Sequence, residues 1–229
     1  MAARETMDHL ARSGICPQKR GRDRLIRLAM THPDWALGFM DEVWWSRIMQ
    51  PTMASWADDG APLRLVEQRV PRDDPDPKAL ACYGLLVRQW DDSGARDERM
   101  LLRFVDGRPV SAVTTQFLAW CCARLAAQEK AALLLVWDNA SWHVSKAVRR
   151  WIREHNRAVK RGEAAVRIVT CYLPIKSPWL NPIEAKWVHG KRRIVEPVRL
   201  LTADEIVERV GACFGCVHEP HLTVIEEVP

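Results

Sequence analysis

Nowhere in this 229-residue chain is there a long apolar run. The longest near its middle, "AALLLVW", is far short of the roughly 20 apolar residues a membrane span requires. The opening "MAARETMDHLARSG" mixes charges and lacks an apolar segment, so no signal peptide is expected and the cytoplasm is the expected location. Internal repeats and low-complexity tracts are also absent. Seven cysteines, an odd number without framework spacing, exclude a disulfide scaffold and point to free thiols in a reducing compartment. What is there fits a soluble globular protein: 48% apolar and 28% charged residues, enough for one fairly large domain or one domain with a short appendage. The net charge of +5 leans toward an acidic partner such as nucleic acid.

Periodicity sketches the elements. Residues 1–34 are polar and basic and predict a linker with one short helix. "WALGFMDEVWW" reads as a buried strand, "LRLVEQRV" as a second and "ALACYGLLVRQW" as a third, joined as hairpins. "DDSGARDERMLLRFVDG" adds a turn and a short extra strand. Helical spacing takes over in "SAVTTQFLAWCCARLAAQEK", with Val113, Phe117, Trp120, Cys121 and Leu125 on one face. The continuous run in "AALLLVWDNASWH" predicts a central strand covered on both faces, as in parallel pairing. A helix from about Val144 to Arg161 and a strand in "AVRIVTCYLP" follow. The expected class is α/β: three antiparallel strands, then helix-connected parallel ones.

"LPIKSPWLNPIEAKW" places Pro174, Pro178 and Pro182 in front of Glu184. Each proline lacks an N–H and turns the residue before it away from helical angles, so Leu173 to Leu180 predicts a fixed, extended connector. Helix can begin only at Asn181, as N-cap, with Pro182 in the first helical position and Glu184 in the third. Glu184 there can close a capping box or serve a chemical role.

Three acids fall at the ends of predicted elements: Asp41 after the first strand, Asp138 after the fourth, Glu184 at the late helix. If the first and fourth strands are parallel neighbours, Asp41 and Asp138 emerge side by side at their C-terminal ends, where such sheets place ligands. Two carboxylates about 4 Å apart repel by about 4 kcal/mol at an effective dielectric near 20, unless a cation lies between them. Oxygen-only ligands suit magnesium, and two such ions activate an attacking water and steady a leaving oxygen, as in phosphodiester cleavage. Glu42 rivals Asp41, because neighbouring strand residues point to opposite faces and parity alone does not choose.

Together, "FMDEVWW", "LLVWDNASWH" and "LPIKSPWLNPIEAKW" resemble the catalytic domain of mariner-type DDE transposases, in the bacterial insertion-sequence branch. The resemblance covers roughly residues 35–195. It implies an RNase H-like catalytic domain over residues 35–229, with residues 1–34 a linker or the remnant of an N-terminal region. It also implies that Asp41, Asp138 and Glu184 are the catalytic triad holding Mg2+, with Mn2+ able to substitute, and it selects Asp41 over Glu42. The implied activity is DNA strand cleavage and strand transfer, on double-stranded DNA at element ends and target, by a dimer. A nuclease without strand transfer and an inactive DNA-binding remnant are the alternatives. Forty-five residues separate Asp138 from Glu184, more than the resemblance implies, with the surplus assigned to "NRAVKRGEAAV". The helix-turn-helix region expected ahead of the first aspartate has only 34 residues to occupy. A split reading frame, with a separate N-terminal DNA-binding polypeptide, or a truncated relic is therefore expected.

Basic residues predict where DNA would lie. Lys146, Arg149, Arg150, Arg153, Arg157, Lys160 and Arg161 form one stripe of the helix after Asp138, opposite Val144, Ala147, Val148, Trp151, Ile152 and Val159. Mutual repulsion along such a stripe is relieved by an anionic backbone. Lys191, Arg192 and Arg193 in "HGKRR" form a second patch. Asn139, His143 and Asn181 are candidate supports of the site, and Trp142 and Trp179 candidate stacking surfaces for unpaired bases. "CFGCVHEPH" has zinc-like spacing in Cys213, Cys216, His218 and His221, but the cysteines with Val210, Phe214 and Val217 also fit the buried stripe of a C-terminal helix, the reading preferred here.

Overall fold

The computed structural model describes residues 17–48, 70–91, 93–194 and 199–224. A helix over residues 17–30 (α1) precedes three long strands, β1 (Trp35–Ser46), β2 (Ala79–Trp90) and β3 (Arg96–Asp106). Then come α2 (Ser111–Ala126), β4 (Ala132–Trp137), α3 (Lys146–Lys160), β5 (Arg167–Tyr172), α4 (Ile183–Ile194), α5 (Ala203–Phe214) and the two-residue β6 (Leu222–Thr223). The sheet order is β5-β4-β1-β2-β3-β6. β1, β2 and β3 pair antiparallel, whereas β4 joins β1, β5 joins β4 and β6 joins β3 in parallel.

Alternation within β1 divides the interior into two layers. Leu37, Phe39, Val43 and Trp45 face a core shared with Leu25 and Ala29 of α1, Ile183 and Trp187 of α4, and Ile206 and Val210 of α5. Ala36 and Met40 face the other core, with Phe117 and Cys121 of α2 and Val148 and Ile152 of α3. β4, "ALLLVW", is buried along its whole length because helices cover both faces. Its neighbours on either side are parallel strands, as its unbroken apolar run predicted.

Several expectations change. The extra strand is not short: β3 runs 11 residues and pairs with β2 from Trp90↔Arg96 to Ala81↔Val105. Its hairpin is set by Asp91, whose carboxylate accepts from the Ser93 and Ala95 N–H groups, and by Gly94 at φ 80°. Except for Val70, the proposed strand "LRLVEQRV" lies outside the described residues. Helix α1 is no detached linker, since Leu25 and Ala29 are core residues. The proline connector is not extended throughout: Pro178–Leu180 form a 3-10 turn after Lys176 at φ 57°. Helix α5 ends at Phe214, capped by Gly215 in the left-handed region, which leaves Val217 83% exposed rather than on a buried stripe. Trp120 of α2 is only partly buried and Ala147 of α3 is exposed. Among the described residues, no helix is long and apolar enough to cross a membrane.

Candidate active site

Parallel pairing of β1 with β4 ends at Phe39↔Val136. Asp41 and Asp138 each lie two residues beyond that point, so both share the side-chain parity of the pair they follow. Asp41 is not after its strand, however. β1 continues to Ser46 against β2, and Asp41 sits inside it opposite Gly84. The partner β4 stops while β1 goes on, and this opens the sheet at the two aspartates.

Glu184 arrives on the same face from the first turn of α4. Three residues further, Trp187 donates its indole N–H to Asp41 Oδ2 at 2.9 Å. The indole lies so close to β2 that a Cβ on Gly84 would stand 2.3 Å from it, so only glycine fits there. Asn181 is buried, and its side chain does not cap α4. Its amide donates to the Met40 carbonyl at 3.0 Å, pinning the connector to β1 beside Asp41, while its Oδ1 has no partner among the described residues. Asn139 likewise donates to the Leu173 carbonyl, tying the end of β4 to the connector's start. None of the hydrogen bonds among the described residues uses the Glu184 carboxylate, so the capping-box role is not formed. Asp138, Asn139, Pro174, Ser177, Asn181 and Glu184 line an open cleft of about 270 Å³.

Asp41 does not line this cleft, but the charges around the three acids are unbalanced. Burial, with the Glu184 and Glu42 carboxylates nearby, pushes Asp41 up to about 8 from its ordinary 3.8. Burial also raises Glu184, and the charge of Asp138 adds to it, with Lys191 opposing. Asp138 behaves differently. Partial burial works against its charge, but hydrogen bonds from His143 and the Ala140 N–H outweigh it and leave the group lowered.

Glu42, next to Asp41, points to the opposite face. There it accepts from His143 Nε2 at 2.8 Å and from Trp142 Nε1 at 3.2 Å. The other nitrogen of His143 bonds Asp138 Oδ1 at 2.7 Å. The ring is fully buried and stacked on Trp137 at 4.7 Å. Burial opposes its charge, yet the bonds to Asp138 and Glu42 prevail and push it up to about 9. His143 is therefore an imidazolium that donates to both acids. The interlocking roles of Glu42, Trp187 and Gly84 were missed in the sequence. Trp187 at i+3 from Glu184 was the one available signal.

The donor set of Asp41, Asp138 and Glu184 is all oxygen, and its mutual repulsion is the kind a hard divalent cation relieves. The residues fit such an ion in chemistry. Among the described residues no three His, Cys, Asp or Glu side chains stand close enough together to hold a metal ion, so the three acids share a face without forming a ready ligand set. In the cysteine cluster, Cys216 donates to the Met100 carbonyl, and His221 pairs with Asp106 at 2.7 Å.

Both basic patches are exposed. On α3, Lys146, Arg149, Arg150, Arg153 and Arg157 have no ion-pair partner among the described residues, and Arg149 lies over the Tyr172 ring. Lys191, Arg192 and Arg193 end α4. The patches lie on opposite faces of the sheet, because α3 and α4 pack against different cores.

Residues 93–206 match the family described as DDE superfamily endonuclease. Over that stretch, just under half of its length, the chain is similar to these endonucleases. The match includes Asp138 and Glu184 and begins after Asp41. Solved structures agree on the fold. The "Mos1 transposase paired-end complex with left transposon end" is 15% identical, with a TM-score of 0.57, over 90% of this chain and 55% of that one. The "Mos1 mariner paired end complex with Mn" is 16% identical, with a TM-score of 0.54, over 90% and 56%. The "Mos1 Strand Transfer Complex" is 15% identical at 0.50, over 90% and 55%. At such identities the likeness is one of fold, here RNase H-like, and the chain spans about half the length of these proteins. No curated protein matches the chain.

Proposed function

We propose that this domain is the catalytic part of an insertion-sequence transposase, cleaving DNA strands and joining the freed 3′ hydroxyl to a target strand. The observation that carries the reading is the delivery of Asp41, Asp138 and Glu184 to one face of the sheet, where β4 stops and β1 continues. Among the described residues Asp41 and Glu184 have no basic hydrogen-bond partner, in contrast to Glu42 next door.

Each residue has a role in this account. Asp41, Asp138 and Glu184 hold Mg2+, or Mn2+ in its place, and Mn is also present in one of the Mos1 complexes that share this fold. A divalent ion held there would supply activation of the attacking hydroxyl and stabilisation of the leaving oxygen. His143 fixes the rotamer of Asp138 through Oδ1 and leaves Oδ2 free. Trp187 fixes Asp41, and Asn181 and Asn139 hold the connector that forms the cleft wall. Catalysis is then positioning and charge neutralisation around a phosphodiester. Double-stranded DNA at element ends and target is the partner, met by backbone contacts from Lys146, Arg149, Arg150, Arg153, Arg157, Lys191, Arg192 and Arg193. A second copy on the DNA and a separate N-terminal DNA-binding polypeptide complete the proposal, with the cytoplasm as location.

The test is Asp138→Asn, which keeps shape and removes the charge. Plasmid nicking by the parent should require Mg2+ or Mn2+ and fall to background in the variant, with unchanged circular dichroism. Undiminished nicking by Asp138→Asn rejects the triad.

A further inference from the structure

Lys176 is the one cation among the residues that line the acidic cleft. Its backbone lies in the left-handed region at φ 57°, which disfavours any residue with a Cβ. Among the described residues one other non-glycine has a positive φ, Glu129, and a helix end explains it. Glu129 follows the last turn of α2, and the Lys130 N–H beside it reaches back to the Leu125 carbonyl. Lys176 closes no helix. Its conformation is imposed by the connector, in which Leu173, Pro174, Ser177 and Leu180 are buried. The Asn139 amide holds the Leu173 carbonyl, and the Arg22 guanidinium holds that of Leu180 at 3.0 Å. Between these anchors Lys176 and Ile175, the latter 77% exposed, form a crest on the cleft.

The ammonium is not spent within the protein. Lys176 makes no ion pair among the described residues. The charges that act on Glu184 are those of Asp138 and Lys191, and the one that acts on Asp138 is that of His143. A lysine that neutralised the acids would sit on them, whereas this one shares their cleft and stands apart. Acids from β4 and α4 with a spare cation from the connector are complementary to a phosphate that a divalent ion holds from the other side.

We propose that Lys176 is a further catalytic residue, contacting a non-bridging oxygen of the scissile phosphodiester. The inference rests on the DNA-cleaving reading and adds to it a residue that meets the reacting group. As the oxygen of water bonds to phosphorus and the bond to the 3′ oxygen breaks, negative charge spreads over the oxygens around phosphorus. The departing 3′ oxygen ends with the proton that the water gives up, and Lys176 supplies charge but no proton. A cation already aimed at that charge lowers the barrier more than it strengthens ground-state binding. The left-handed backbone is then strain kept at a functional position by the anchors at Leu173 and Leu180.

The experiment compares single-turnover plasmid nicking by the full chain with that of Lys176→Ala, Lys176→Arg and Lys176→Gly. Duplex affinity, Mn2+ affinity and thermal melting are measured beside it. Lys176→Ala should nick on the order of a hundredfold more slowly, with a far smaller loss of duplex affinity and parent-like Mn2+ binding. Lys176→Arg should recover part of the rate. Lys176→Gly relieves the backbone, so it should melt no lower than the parent while nicking as slowly as Lys176→Ala. Parent-like nicking by Lys176→Ala overturns the proposal and leaves the function reading intact. A rate loss matched by an equal loss of duplex affinity also overturns it, because Lys176 would then be one more backbone contact. Lowered melting or Mn2+ binding in Lys176→Ala would make the side chain a prop of the connector and overturn it too. A parent that nicks no DNA with either metal overturns the function reading itself, and this inference with it.

Discussion

Asp41 and Glu42 are adjacent carboxylates in one strand, and the fold treats them in opposite ways. Glu42 enters the layer of α2 and α3, where an imidazolium and an indole N–H meet it. Asp41 enters the layer of α4, where a single indole N–H meets it and the nearby charges are acids. One charge is answered from within the protein. The other is left for something from outside. The difference separates a structural carboxylate from a chemical one, a choice that strand parity could not make from sequence.

The comparison is broken most severely at His143. Leucine there strips the counter-charge from buried Glu42, and such a loss costs about 3–5 kcal/mol. Urea unfolding should show it, and Glu42→Leu combined with His143→Leu should recover much of it. A cost near zero for the single change would mean that Glu42 is not compensated as described. A smaller loss is expected at Gly84. Gly84→Ala drives a methyl into the Trp187 ring, and overpacking of this kind costs about 1–3 kcal/mol. Parent-like melting of Gly84→Ala would show that the indole is not held against β2.

The same contrast also sets a pH dependence. Folded Asp41 titrates near 8 and the unfolded group near 3.8. The folded chain keeps a proton that the unfolded chain releases, so stability is highest on the acid side and falls as pH rises from about 4 to about 8. Without divalent metal, Asp41→Asn should flatten that decline in melting temperature. An unchanged pH profile would place Asp41 in a less hostile environment than the fold indicates.

Much of this was legible because it was local. The run "ALLLVW" announced a central parallel strand, and three prolines announced a constrained approach to Glu184, though not its 3-10 turn. β3 was shortened in the sequence reading because "RDER" opens it with four charges, which resemble a loop until β2 pairs with them. Two residues of β6 carry no periodicity at all. The packing of Leu25 and Ala29 was hidden because the basic residues around them suggested a linker. Long-range pairs were out of reach: Glu42 and His143 stand 101 residues apart, and Asp41 and Trp187 stand 146 apart.

Calorimetric titration of Mn2+ into the metal-free parent, Asp41→Asn and Glu42→Gln tests the central claim directly. Binding should be lost in Asp41→Asn and retained in Glu42→Gln, whose amide oxygen can still accept from His143. Retained binding in Asp41→Asn with loss in Glu42→Gln would contradict the account and reverse the assignment of the two acids.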